Sequence, residues 1–555
     1  MTKSLVSFAA LMLAACAFHS GGDGDDSGSD GSGAPPATLV VTSPARGTTT
    51  TASTVTVAGT VTGDGVKVTI DGADAPVAAD GSFSATVPVT AGIAILQTAA
   101  TDANGTELTD VRAVLAGPLA PSDGTHASSL AARASATALT AIGNAVAADA
   151  KTVDYTTAAQ ALNPVYDNTG CLGAVIDITS ISLSNVGVTL APQASALATN
   201  VTISNLVVKL HADYEVACIG GSTDITVTST AAHIAGDLGA SVSGGALATT
   251  LPAVTVTLDG FDLQVSGVPS EIVDLFNSHV QTAVQNALAS MIQSKVPPIA
   301  NGKLAGLVTS GFSTTLLGAA TKLTIAPSAA SITADGLYVA ADAKVDVTGG
   351  GSGMFLTTQS PVSPALVAST HGLGIALSCD LANDLLAGLW AAGAFDKSVP
   401  IADLSIGAVL LDQKAAQVAL KLSLPPTASA DGSGALQLAL GDALVDVEDG
   451  SGNLLQQIAL SLSTGLSATA QNGQIALALG TPTVYAQVLE QSSDGSPRLT
   501  DAQVAGLVSG VWGIVGTQAS SALAKLPLPS LAGVQLGAPS VSAASGYVVA
   551  DVPIE

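Results

Sequence analysis

The sequence predicts a mostly β protein carrying long helices (α+β), with a β-sandwich near the amino terminus followed by two elongated, barrel-like halves. Three observations predict it. Turn dipeptides "DG" and "NG" punctuate residues 37–117 at short intervals; farther on, apolar and polar residues alternate from Val208 to Val216 within "VVKLHADYEVAC" (207–218); and "FNSHVQTAVQNALASMIQSKVPP" (276–298) spaces its apolar residues as a helix does.

Composition limits what such a chain does. Its 555 residues exceed one compact unit. Hydrophobic residues make up 48% and mean hydropathy is +0.52, yet beyond the first sixteen positions no run of about 18 uncharged apolar residues exists to span a bilayer. The apolar surplus is therefore expected inside the fold. Asp and Glu number 42 against 16 Lys and Arg, a formal charge of −26, which repels phosphate backbones and anionic headgroups. Nucleic acid is thereby excluded as an expected partner.

Residues 1–16 have the layout of an export signal: Lys3, then "LVSFAALMLAA" ending in small residues. Their end, "LAAC" at Leu13 to Cys16, resembles the lipobox of bacterial lipoproteins. That resemblance implies a palmitate-bearing anchor on Cys16 and a place in the bacterial cell envelope. Ala17 in the next position, rather than Asp, implies the outer membrane if the enteric sorting rule applies. Residues 17–36, including "HSGGDGDDSGSDGSGAPP", are too polar to form a core and read as a flexible acidic linker.

Residues 37–117 supply the sandwich, with short alternating runs "TLVVTS", "TVTVAGTV", "VKVTI", "GSFSATVPV" and "IAILQTAATD". Through "VTSPARG", "VTVAGTV" and "DGSFSATVPV" the unit resembles the bacterial immunoglobulin-like modules, most of which act as spacers. Its one aromatic residue in these runs, Phe83, offers no stacking platform for a sugar.

Past the joint "GPLAPSDGTHASS", residues 128–150 read as an Ala-rich helix with Leu130, Ala134, Ala138, Ile142 and Val146 on one face. Strands follow in "VTISNLVV", "VVKLHADYEVAC", "STDITVTST" and "LPAVTVTLDG". In the twelve-residue run, Leu210, Ala212, Tyr214 and Val216 point one way while Lys209, His211, Asp213 and Glu215 point the other. His211 is thus a solvent-facing residue. A helix then starts at "VPSE" and is expected to stop at Pro297-Pro298. From Glu271 to Lys295 it would reach roughly 37 Å, close to the roughly 40 Å of the strand. A helix and strands of equal length suit a rod lying in the hollow of a curved sheet. The order then recurs: a helical segment at 380–394, strands "VALKLSL", "GALQLALGDALVDVED", "QQIALSLSTGL" and "QIALAL", and a second long helix in "LTDAQVAGLVSGVWGIVGTQASSALAKLPLP".

Here the chain resembles the tubular lipid-binding family of bactericidal/permeability-increasing protein and lipopolysaccharide-binding protein. "IVDLFNSHVQTAVQNALASMIQSKVPPIANGKLAGL" is similar to the helix closing that family's first barrel, "LSCDLANDLLAGLWAAGAFD" to the segment opening its second, and "LKLSLPPTASADGSGALQLALGDALVDV" to the passage after it. The resemblance spans roughly residues 125–555. It implies a first barrel at 125–320, a central-sheet region at 321–378 and a second barrel at 379–555, sharing one central sheet, with lipid held between helix and sheet. The lining it implies is Phe276, Val280, Val284, Leu288 and Met291 in the first half, and Val504, Val508, Val511 and Val515 in the second. The family's vertebrate members carry a helix cysteine near the position of Val296 that is absent here; Cys171 and Cys218 could instead pair with each other, leaving Cys379 as a small buried hydrophobe. Between 125 and 300 the only cations are Arg133, Lys151, Lys209 and Lys295, too few for strong capture of an anionic headgroup.

Catalytic and metal signatures do not turn up. The chain has no G-x-S-x-G, H-E-x-x-H or Walker pattern, and its six His are scattered without ligand spacing. No enzyme activity, metal or cofactor is expected. "VDVED" reads as a solvated strand face, "GGGSG" at 349–353 as a loop, and Phe276, Trp390 and Trp512 as core aromatics within reach of a ligand. The expected function is to bind, and to carry between membranes, a lipid or similar apolar molecule. Its rival is a structural or adhesive surface protein whose interior fills itself.

Overall fold

The computed structural model describes residues 37–555 apart from Asp123, 266–267, Pro269, 309–310, Ser352, 358–361, 401–414, 431–435, 472–473, 492–503, 505–525, 528–530 and Ala532. The described chain is mostly β, with an amino-terminal β domain and a half-barrel sheet.

In the amino-terminal domain, alternation becomes two facing sheets. Strands Thr38–Ser43, Thr54–Thr62 and Ser82–Pro88 form one; Thr48–Thr50, Glu107–Ala116, Gly92–Thr101, Lys67–Ile70 and Ala73–Ala75 form the other. Thr54–Thr62 buries every second residue, and Val55, Val57 and Val61 meet Val68, Ile70, Leu96 and Phe83 in a common core. The "DG" turn at Asp80-Gly81 works through both residues. The Asp80 carboxylate accepts the Ser82 backbone N–H and hydroxyl at 3.0 and 2.7 Å, while Gly81 adopts φ +80° with its α-carbon so near Val61 that a Cβ would lie 2.3 Å from the Val61 carbonyl oxygen.

The first large sheet runs Tyr166–Asn168, Leu172–Ser182, Leu197–Val216, Ile219–Ser243, Ala246–Thr250, with Asn185–Pro192 added to the third of these and Val254–Asp259 and Asp262–Val265 to the fourth. Sequence splits its two longest strands into shorter pieces; the structure joins them into strands of 20 and 25 residues, roughly 66 and 82 Å of extended chain. Asn205, at φ +50°, is skipped in the pairing of these two strands, whose register is the same on either side, so the ribbon continues through it.

The central sheet has the order Phe312–Leu316, Ala319–Thr333, Gly336–Val347, Thr125–Ala134, Gly372–Ser378, Tyr547–Pro553, Ser540–Ala544. It therefore draws on chain that the linear division gives to both barrels, at 125–134 and at 540–553. The expected helix over 128–150 is corrected accordingly: Thr125–Ala134 is a strand and the helix is Ala136–Ala150. Ala131, Ala132 and Ala134 are buried between strand neighbours on either side, and a small apolar run buried on both faces has no period to separate strand from helix. Ser135 marks the change, its hydroxyl accepting the Ala138 N–H at 3.3 Å as an N-cap.

The last sheet runs Lys397–Pro400, Ala415–Leu422, Leu436–Asp449, Leu454–Gln471, Gln474–Gln491, Leu526–Pro527, with Thr427–Ala430 beside the third. Helix Cys379–Ala391 precedes it, capped by the Ser378 hydroxyl on the Asp380 N–H at 3.1 Å.

Candidate functional site

The long helix is Ser270–Leu304. It passes through Pro297 and Pro298 instead of stopping there, which corrects the expected end. Each proline removes a helical hydrogen bond and costs about 3 kcal/mol in a helix interior. Burial offsets this: Val296, Ala300, Leu304 and Leu307 continue the apolar stripe into the core, and the Thr249 hydroxyl donates to the Pro297 carbonyl at 2.8 Å. At 35 residues the helix spans roughly 52 Å, so the strands outreach it.

The spacing that predicts the stripe also positions it. Phe276, Val280, Val284, Leu288 and Met291 lie on one side of the helix against Ile176, Ile178, Val208, Leu210 and Ile225 of the sheet, all within one continuous core. Their exposures run from 0% at Phe276 and Val280 to 2% at Met291. Polar side chains tether the helix flanks: Gln285 donates to the Val256 carbonyl at 3.0 Å, Gln293 to the Pro252 carbonyl at 2.9 Å, and Lys303 pairs with Asp149 of the Ala-rich helix at 2.7 Å. Near one end Phe276 meets Tyr214 edge to face at 6.5 Å, and His279 stacks on Tyr166 at 4.9 Å. Beyond them a disulfide joins Cys171 to Cys218. Leu172 and Ile219, 60% and 74% exposed, flank it. Each is paired with Val216 across the strands, and alternation puts all three on the sheet's core-facing side.

In the second half, Val504 is buried in a separate core with Val418, Leu422, Val445 and Ile458, against which Trp390 packs; the Trp390 indole donates to the Leu422 carbonyl at 2.8 Å. Val508, Val511, Val515 and Trp512 lie outside the described residues, as does Cys16. The surface carries a hollow of about 490 Å³ lined by Thr137, Thr140, Asn144 and Glu555, and another of about 270 Å³ at Ser313, Lys322 and Thr324. Neither touches the stripe. Cys379 is a buried free thiol whose ionisation burial pushes up to about 11. His211 has its pKa raised, chiefly by the hydrogen bond its Nδ1 donates to the Asp224 carboxylate at 2.8 Å, on the solvent side of its strand. Among the described residues no group of three or more His, Cys, Asp or Glu is arranged to hold a metal.

Two polar sites escape sequence reading. His126 Nε2 lies 2.7 Å from the buried carboxylate of Asp384, joining the central sheet to helix Cys379–Ala391. The second site links the amino-terminal domain to the last sheet. Asp442, its side chain wholly buried, accepts Arg46 at 2.6 Å and the Ala113 N–H at 3.1 Å. Burial raises the Asp442 pKa, with Arg46 pulling the other way. Gln487 accepts Arg46 at 2.6 Å and the Val111 N–H at 3.0 Å, and donates to Asp110 at 3.3 Å. The available signal was a carboxylate interrupting the apolar run "LQLALGDALV"; nothing local says that its partner lies almost four hundred residues earlier.

Residues 37–117 match the family Glucodextranase, domain B. No curated protein matches the chain. Among solved structures, the chain is similar to the crystal structure of lipopolysaccharide binding protein at 13% identity, over 77% of this chain and 99% of that one, with a TM-score of 0.42. It is similar to the solution structure of latherin at 17% identity over 29% and 82% of the two chains, TM-score 0.21. A third likeness is to SGBP-B of the Bacteroides ovatus mixed-linkage glucan utilization locus, solved with a mixed-linkage heptasaccharide, at 13% identity over 43% and 62%, TM-score 0.13. Likenesses at these scores fix neither fold nor ligand.

Proposed function

We propose that the chain binds a lipid or another long apolar molecule between its long helix and the half-barrel sheet, as a binding protein and not an enzyme. One observation carries the reading: a single apolar stripe runs along the helix from Phe276 to Leu304, continues to Leu307 in the turn after it, and shares one core with strands longer than the helix. Each methylene moved from water into such a lining contributes about 0.8 kcal/mol, so two acyl chains would be held without any charged contact. The scarcity of cations in this half, with a net charge of −26, favours a neutral or zwitterionic guest over an anionic one. The described state is closed, and binding requires the helix to part from the sheet. Export, anchoring through Cys16 in the bacterial outer membrane and carriage of the guest between membranes complete the proposal; the Cys171–Cys218 disulfide suits an oxidising envelope.

A second reading, a structural surface protein with a self-filled interior, is favoured by the near-zero exposure of the five stripe residues. Organic extraction and native mass spectrometry of residues 37–555 purified from cells separate the two. Stoichiometric lipid is expected from binding, whereas a ligand-free mass across preparations would leave the structural reading. Palmitate labelling lost on Cys16→Ser tests the anchor.

A further inference from the structure

The junction between the amino-terminal domain and the last sheet has the make-up of a small protein core. A buried carboxylate is costly unless it is paired and hydrogen-bonded; both oxygens of Asp442 find partners, Arg46 and the Ala113 N–H, and both partners belong to the amino-terminal domain. Asp442 sits at φ +46° at a register shift between Leu440 and Ala443, a bulge of the kind that re-aims a side chain out of its ladder. Gly441 beside it allows close approach, since a Cβ there would lie 2.6 Å from the Ala113 Cβ. Ala113, Leu115, Leu356 and Leu424 fill the rest, none more than 1% exposed.

The placement of the two anchor residues decides what this contact does. Asp442 lies on strand Leu436–Asp449 and Gln487 on Gln474–Gln491, and Leu454–Gln471 runs between them in the sheet. One guanidinium, Arg46, reaches both anchors. The intervening strand is held as well, for the Ser461 hydroxyl accepts the Asp442 N–H at 3.0 Å. A spacer touches its neighbour only through a linker, whereas this domain spans three strands of another sheet.

We propose that the amino-terminal domain is a built-in brace, docked through Arg46 across Asp442 and Gln487, that holds the curvature and register of strands 436–491. Undocking loosens those strands and leaves the first sheet unaffected. The proposal is independent of what the chain binds.

The test is hydrogen exchange by mass spectrometry on residues 37–555 carrying Arg46→Ala or Gln487→Leu. Opening of the last sheet should raise exchange in 436–449 and 474–491 by roughly tenfold or more, with 197–243 unchanged. Gln487→Leu removes three hydrogen bonds across the junction without stranding a buried carboxylate, and it carries the test alone should Arg46→Ala not accumulate as folded protein. Unchanged exchange in 436–491, or an equal rise throughout the chain, overturns the proposal.

Discussion

The first half and the junction of the amino-terminal domain with the last sheet are both buried contacts, but different forces hold them. The helix against the half-barrel is apolar along its length, with polar tethers only at its flanks. The junction is built round one carboxylate, one guanidinium and one carboxamide. Apolar burial is non-directional and tolerates sliding; a buried ion pair tolerates none, because separating its members leaves an unmet charge. The first contact is thus suited to opening for a guest and the second to holding still.

That contrast can be broken experimentally. The largest effect is expected at Phe276, fully buried and edge to face with Tyr214. Phe276→Ala should cost about 3–5 kcal/mol in chemical denaturation of the first half; a loss well under 1 kcal/mol would mean that the lining is loosely packed. Of similar size is Arg46→Ala, which strands Asp442 and should cost about 3–5 kcal/mol, while Arg46→Met combined with Asp442→Asn should recover most of it. Equal losses in the single and double variants would show that packing, and not charge pairing, holds the junction. Breaking the Cys171–Cys218 bond by paired Cys→Ser changes frees a loop with a sequence separation of 47 and should lower stability by about 2–5 kcal/mol, measurable as a melting shift that the reduced wild type reproduces.

A smaller effect concerns pH. Because burial raises the Asp442 pKa above its ordinary value of 3.8, the folded chain keeps a proton on this group that the unfolded chain has released. Its contribution to stability is therefore fullest in acid and declines as pH climbs from 3.8 through the raised folded value. Stability measured relative to Asp442→Asn should fall across that window, and a rise would mean that Arg46 outweighs burial. Least of all, native Cys379 should resist alkylation at pH 8, its thiol being buried and titrating near 11; fast labelling would reveal opening of helix Cys379–Ala391.

How much was legible in the residues follows the same division. Alternation in Thr54–Thr62 and in 207–216, and helical spacing from Phe276 to Met291, are direct records of one-sided burial, and the elements lie where those periods place them. The strand at 125–134 and the passage of the helix through Pro297-Pro298 were not legible, since tertiary packing decided each against local preference. The docking of Arg46 on Asp442 was beyond reach, because a pair so distant in sequence leaves no spacing to read.

The arrangement of the central sheet bears on how the molecule is made. Gly372–Ser378 sits between Thr125–Ala134 and Tyr547–Pro553, so it waits with an open edge until residues far later in the chain have been synthesised. The central sheet is thus completed by pairings of very long sequence separation, which are slow to find and leave apolar edges open in the meantime. Removal of Tyr547–Pro553 would strip Gly372–Ser378 of one of its two neighbours, and such a product should reach proteases or chaperones before it reaches its folded state.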